Sequence, residues 1–261
     1  MWVIIKLILY YFGYQLGFMA LFMASSKYVA PMDAVTVTSL VMVASTLAMA
    51  WHLVRYGYVR VARTIFREVS LRVLAVSVVF VFAVMYVANL IVEQASIPNI
   101  MEDTFIAMSR NAFGVLSIAL LGPILEELLF RGAIQDTLQR MTPRPWVAIV
   151  GASLIFGVVH MNPAQIPFAF FLGMVFGWLR YRTGSLLPGI VGHVLNNSVA
   201  CVNMMMYGDA SLEEQMGSSM VMWVWVVVAV VAFVLSAWWL DRHLDARHEA
   251  SAPAPAPDSR R

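Results

Sequence analysis

The stretch Gly122-Pro-Ile-Leu-Glu126-Glu127-Leu-Leu-Phe-Arg131-Gly132 lies in an apolar run that reaches back to Ala112. Two adjacent carboxylates and one guanidinium therefore stand near the middle of a segment patterned for a membrane. On insertion scales a central ionised residue costs roughly 2.5–3.5 kcal/mol, so three unpaired ones would cost on the order of 8–10 kcal/mol. Helical spacing predicts how that cost is lowered. Glu127 and Arg131 stand at i and i+4 with the acid N-terminal, the favourable orientation for an ion pair along one face. Glu126 is turned about 100° from Glu127 and has no partner on its own helix. Pro123, one turn earlier, removes a backbone donor that would reach the Ala119 carbonyl, which predicts a kink beside the cluster.

The whole chain agrees with a membrane setting. Of its 261 residues, 61% are hydrophobic and 12% charged, against about 45–50% and about 25% in soluble domains. A net charge of +2 and the lack of a dense Lys/Arg tract leave no electrostatic footprint for a nucleic-acid partner. The single cysteine, Cys201, excludes an internal disulfide framework and reads as a small buried hydrophobe.

A helical span needs about 20 mostly apolar residues. Runs at 2–24, 34–54, 73–92, 111–140 and 219–240 meet this, and shorter runs lie at 146–160, 164–181 and 185–206. The first run exceeds a signal-peptide core of about 7–15 residues and reads as a retained helix. Turn chemistry at Asn162-Pro163 and Arg182-Thr183-Gly184 separates the shorter runs. The expected fold is all-α and polytopic, with about eight transmembrane helices around a polar intramembrane cavity. The Ala/Pro-alternating tail, 251–261, reads as disordered.

Loop charge sets the orientation. Arg55, Arg60, Arg63, Arg67, Arg72, Arg140, Arg144, Arg180, Arg182, Arg242, Arg247, Arg260 and Arg261 fall on one side of an eight-helix bundle. The other side has Lys27 and Arg110. The positive-inside rule then predicts cytoplasmic N- and C-termini.

Further polar groups lie in the apolar helices. His160 closes the fifth run, and the seventh reads Gly192-His193-Val-Leu-Asn196-Asn197, with His193 and Asn197 on one face at i and i+4. Intramembrane ionisable residues point to function. A glutamate with a histidine can hold and deprotonate a water. A second histidine and an amide can donate to a developing oxyanion. The same Glu126, His160 and His193 also form a His₂Glu set of the kind that binds catalytic zinc, although no H-E-x-x-H signature is present. Gly173 and Gly177 form a Gly-x-x-x-Gly spacing suited to close helix contact.

Glu126-Glu127-x-x-x-Arg131, Phe156-x-x-x-His160 and His193-x-x-x-Asn197, in that order, resemble the three motifs of the CAAX protease and bacteriocin-processing family. These are intramembrane endopeptidases related to the type II CAAX prenyl endopeptidase. The resemblance runs from about Leu120 to Asn203. It implies a catalytic core at 111–206, preceded by motif-free helices at 1–110 and followed by a last helix at 207–250. It implies that Glu126 is the general base, acting with His160 on the attacking water. His193 and Asn197 would form the oxyanion hole, and Glu127, Arg131 and Phe156 would support the site. It further implies a bacterial cell-membrane location, a peptide or membrane-protein substrate, lipid as the surrounding partner, and a glutamate mechanism without a required cofactor. Two other readings fit the same residues: a non-catalytic scaffold or bacteriocin self-immunity protein, and a proton-coupled transporter. An amide at position 197 suits an oxyanion site better than a proton relay.

Overall fold

A computed structural model describes residues 1–25, 32–60, 65 and 68–250. Lys27, Arg63, Arg67 and the 251–261 tail lie outside the described residues. The described chain is helical throughout: α1 Trp2–Ser25, α2 Ala34–Arg55, α3 Leu71–Gln94, α4 Glu102–Ser109, α5 Ala112–Met141, α6 Pro145–Val159, α7 Gln165–Thr183, α8 Leu187–Tyr207, α9 Leu212–Met216 and α10 Ser219–Ala250. Each of the eight apolar runs coincides with one helix. The two short helices, α4 and α9, occupy connections.

Five helices, α1, α2, α3, α5 and α10, are long and apolar enough to cross a membrane. The chain is thus an all-α, polytopic integral membrane protein. Helix α6, with 15 residues, is apolar but short. Helices α7 and α8 are diluted by Arg180, Arg182, His193, Asn196 and Asn197, several of which build the site described below.

Local chemistry sets the helix ends. The Asp33 carboxylate caps α2 by accepting from the Thr36 amide at 2.9 Å and the Thr36 hydroxyl at 2.7 Å. These bonds hold the Asp33 carboxyl below the usual carboxylate range. Asn111 caps α5 through its side-chain oxygen, which accepts from the amides of Phe113 and Gly114. Its own amide donates to the Thr36 hydroxyl at 2.8 Å, so the starts of α2 and α5 are tied together. Gly184, at φ 66°, takes the left-handed conformation that ends α7. Both turn signals read from sequence, at Asn162-Pro163 and at Gly184, fall between helices. Glu214 closes a capping box with Ser211 at the start of α9.

Helix α5 is the centre of the bundle. Half of its most apolar window is buried, against 6% for α1 and 17% for α10. Every residue from Glu127 to Gln135 is buried. Leu125, Leu128, Leu129, Phe130, Ala133 and Ile134 pack with Phe156, Ala152, Leu7, Met49 and Leu53 into the main core. Cys201 is buried, as expected of a small hydrophobe. Two stretches of α5 are π-helical, Leu116–Leu121 and Glu127–Gln135. Such wide turns, bonded i→i+5, recur at functional sites.

Gln135 is fully buried, and its amide donates to the Gly177 carbonyl at 3.0 Å. Asp136 pairs with Arg180 at 3.0 Å. Gly177 has no side chain, so α7 approaches α5 closely enough to enclose the Gln135 amide.

The Gly-x-x-x-Gly spacing does what was expected of it. A Cβ added at Gly173 would lie 2.9 Å from Ser153 Cβ and 3.0 Å from its Cα. Gly173→Ala is therefore expected to cost about 1–3 kcal/mol through overpacking. That corresponds to a lower unfolding midpoint by roughly 2–4 °C per kcal/mol, read by scanning fluorimetry in detergent. Gly13→Ala, where nothing lies within 4 Å, is the control and should not lower the midpoint.

Candidate active site

The motif residues converge on His193. The predicted ion pair is present: Arg131 Nη1 lies 2.9 Å from Glu127 Oε1, and both side chains are 1% exposed. His193 Nδ1 lies 3.2 Å from the same Glu127 oxygen. Its Nε2 lies 3.5 Å from Glu126 Oε2. One imidazole from α8 thus spans both adjacent carboxylates of α5. The wheel drawn for an α-helix separated the two glutamates by about 100°. The ring offers a nitrogen at each end, so both are reached across that step.

A carboxylate only accepts, so the bond to Glu127 assigns the proton on that side of His193 to Nδ1. Glu127 Oε2 has no hydrogen-bond partner among the described residues. It sits where a Cβ on Gly189 would lie, 2.8 Å away. Of the two acids, Glu126 is the accessible one, with its side chain 18% exposed.

Aromatic rings wall the cluster. The Arg131 guanidinium stands 4.3 Å from the Phe156 ring centroid and 5.2 Å from that of Phe176. Phe176 stacks on His193 with centroids 4.8 Å apart and planes at 26°. Phe156 meets both histidines edge-on, His160 at 4.9 Å and His193 at 6.0 Å. Tyr11 of α1 packs edge-on to Phe130 at 6.4 Å and lies within electrostatic reach of Glu126.

His160 is held by the way α6 ends. The amides of His160 and Met161 close tight i→i+3 turns on the Gly157 and Val158 carbonyls. This leaves the Phe156 carbonyl to His160 Nδ1 at 2.7 Å. A carbonyl can only accept, so Nδ1 carries a proton, and in the neutral ring Nε2 is then the acceptor. Beyond it, Met161 takes a positive φ of 51°. Asn162, fully buried, donates to Asn99 at 2.7 Å and accepts from the Ile100 amide at 3.3 Å. The α3–α4 connection therefore braces the histidine.

Asn197, expected to face an oxyanion, donates to the Ile118 carbonyl at 3.0 Å and accepts from Asn196 at 2.6 Å. One amide hydrogen of Asn197 remains beyond the one given to Ile118. Glu126, His160 and His193 were also weighed as a zinc set. Among the described residues, no three His, Cys, Asp or Glu side chains are grouped so as to hold a metal ion.

Phe176, Gly189 and Asn196 were not singled out as site residues from sequence. Gly189 carried a usable signal, since it stands at i−4 from His193 on the same face of α8. Phe176 carried none, being one aromatic among several in an apolar helix.

The comparisons with known proteins cover the same region. A family model described as "Type II CAAX prenyl endopeptidase Rce1-like" matches residues 108–199. That segment begins just before α5 and ends within α8, so it contains every motif residue. The chain is also similar to "Putative membrane peptidase YdiL" of Bacillus subtilis (strain 168), at 28% identity over 101 residues. That alignment takes in 39% of this chain and 41% of the relative. No solved structure matches the chain.

Proposed function

Because the chain belongs to the Rce1-like, CAAX protease family through residues 108–199, we propose that it is an intramembrane endopeptidase that cleaves peptide bonds with a glutamate-activated water. The observation that carries this reading is the division of labour between two adjacent acids. Glu127 is sealed against Arg131, while Glu126 is partly exposed and touches His193. Glu126 is the general base, and the free Nε2 of His160 assists it on the attacking water. On substrate binding His193 Nε2–H, whose contact with Glu126 is long at 3.5 Å, turns to the tetrahedral oxyanion, and the second amide hydrogen of Asn197 joins it. Proton return to the leaving amine passes through the Glu126–His193 pair.

A hydrated cavity among α5, α6 and α8 would admit the water, since irregular or polar surface at membrane depth persists only where protein or water satisfies it. The eight helices that coincide with the apolar runs would all span, with both termini in the cytoplasm of a bacterial cell. The substrate is a peptide or membrane protein, prenylated or not.

The test is cleavage of a quenched fluorogenic peptide by purified protein in liposomes, with prenylated and unprenylated versions as separate arms. Turnover by the wild-type chain that is lost in Glu126→Gln supports the proposal. A wild-type chain that cleaves neither peptide nor a membrane-anchored reporter would argue for the scaffold or immunity reading. A chelator is expected to leave the rate unchanged. Loss of activity with recovery on added zinc would replace the glutamate mechanism with a metal-bound water.

A further inference from the structure

The π turn before Pro123 changes which backbone carbonyl the proline leaves free. In an α-helix the amide of residue 123 would bond the Ala119 carbonyl at i−4. Here the preceding amide, that of Gly122, bonds Ser117 at i−5. The next bond of that pattern would run from residue 123 to Ile118, and proline has no N–H to make it. The Ile118 carbonyl is the one that Asn197 Nδ2 reaches from α8 at 3.0 Å. Asn196 completes the arrangement by donating to Asn197 Oδ1 at 2.6 Å, which fixes the orientation of the amide. Asn197 lies one turn beyond His193 on the same face of α8, and Pro123 lies one turn before Glu126 and Glu127.

We propose that Asn197 is a positioning residue as well as an oxyanion donor: its amide fills the hydrogen-bonding gap opened by Pro123 and so fixes the register of α8 against α5. That register sets His193 across Glu126 and Glu127. The oxyanion role rests on the endopeptidase reading given above; the positioning role does not. An unpaired carbonyl is costly even where it is only partly buried, as here, so the lock acts on stability and on site geometry together.

The two roles separate in a double-mutant cycle of Asn197→Ala and Pro123→Ala, read as the unfolding midpoint of the full-length protein in detergent. Pro123→Ala supplies an N–H next to the Ile118 carbonyl. In the wild-type background Asn197→Ala should lower the midpoint by several degrees. In the Pro123→Ala background the drop should shrink to about half or less. Equal drops in both backgrounds would overturn the proposal. If Asn197→Ala does not fold alone, recovery of folded protein in the double variant is the expected result, and failure of both overturns it. Asn197→Asp keeps the shape but offers no donor to Ile118, so a wild-type midpoint for that variant would equally overturn it. None of these readouts needs a substrate. A chain that cleaves nothing but shows the coupling would refute the protease reading and leave the lock standing.

Discussion

Glu127→Gln is expected to lower the unfolding free energy by about 3–5 kcal/mol, the usual cost of removing one partner from a buried ion pair. Arg131 is 1% exposed and held between two phenylalanine rings, so it cannot turn to solvent when its anion is lost. His193 Nδ1 then faces a neutral amide in place of a carboxylate. The midpoint in detergent should fall by roughly 2–4 °C for each kcal/mol. Replacing both partners, as in Glu127→Gln with Arg131→Met, should be milder than the sum of the singles, because an apolar pair of similar volume leaves no buried charge. Strictly additive losses, or a Glu127→Gln midpoint equal to wild type, would mean that the pair does not hold the site together.

Glu126→Gln should behave in the opposite way. Its side chain is partly exposed and its contact with His193 is long, at 3.5 Å, so the midpoint should stay within a degree or two of wild type. The cleavage rate should fall by about 10²–10⁴-fold, the range lost with a general base, with the change in kcat and not in KM. Glu126→Gln with unaltered cleavage would remove Glu126 from the chemistry, even if every other motif substitution were inactivating. The pair of adjacent variants is thus diagnostic, one failing in stability and its neighbour in rate.

These two glutamates also show how far the sequence could be read. The Glu127–Arg131 pair was legible because both residues lie on one helix at a spacing that needs no tertiary knowledge. Assignment of the eight helices was legible for a similar reason, since apolar runs and turn residues are local. The meeting of His193 with both acids was legible only as a convergence of motifs, not as geometry. It depends on a ring from α8 that offers one nitrogen to each acid, which a wheel of α5 alone does not show. That wheel also assigned the proline gap to Ala119, and the π turn moves it to Ile118. The enclosure of the Gln135 amide was not legible, because it depends on the absent side chain of Gly177 on α7, a long-range fact. Phe176 shows the limit from the other side, since its stacking on His193 leaves no mark in composition or spacing.

The shared histidine has a consequence for biogenesis. Helix α5 is synthesised before α8, and His193 follows Glu127 by 66 positions. Until α8 arrives, Glu127 has Arg131 beside it on α5, but neither acid has the imidazole that later lies against both. A nascent chain halted after α7 therefore lacks the ring that joins the two acids, and the completion of α8 is the event that closes the cluster.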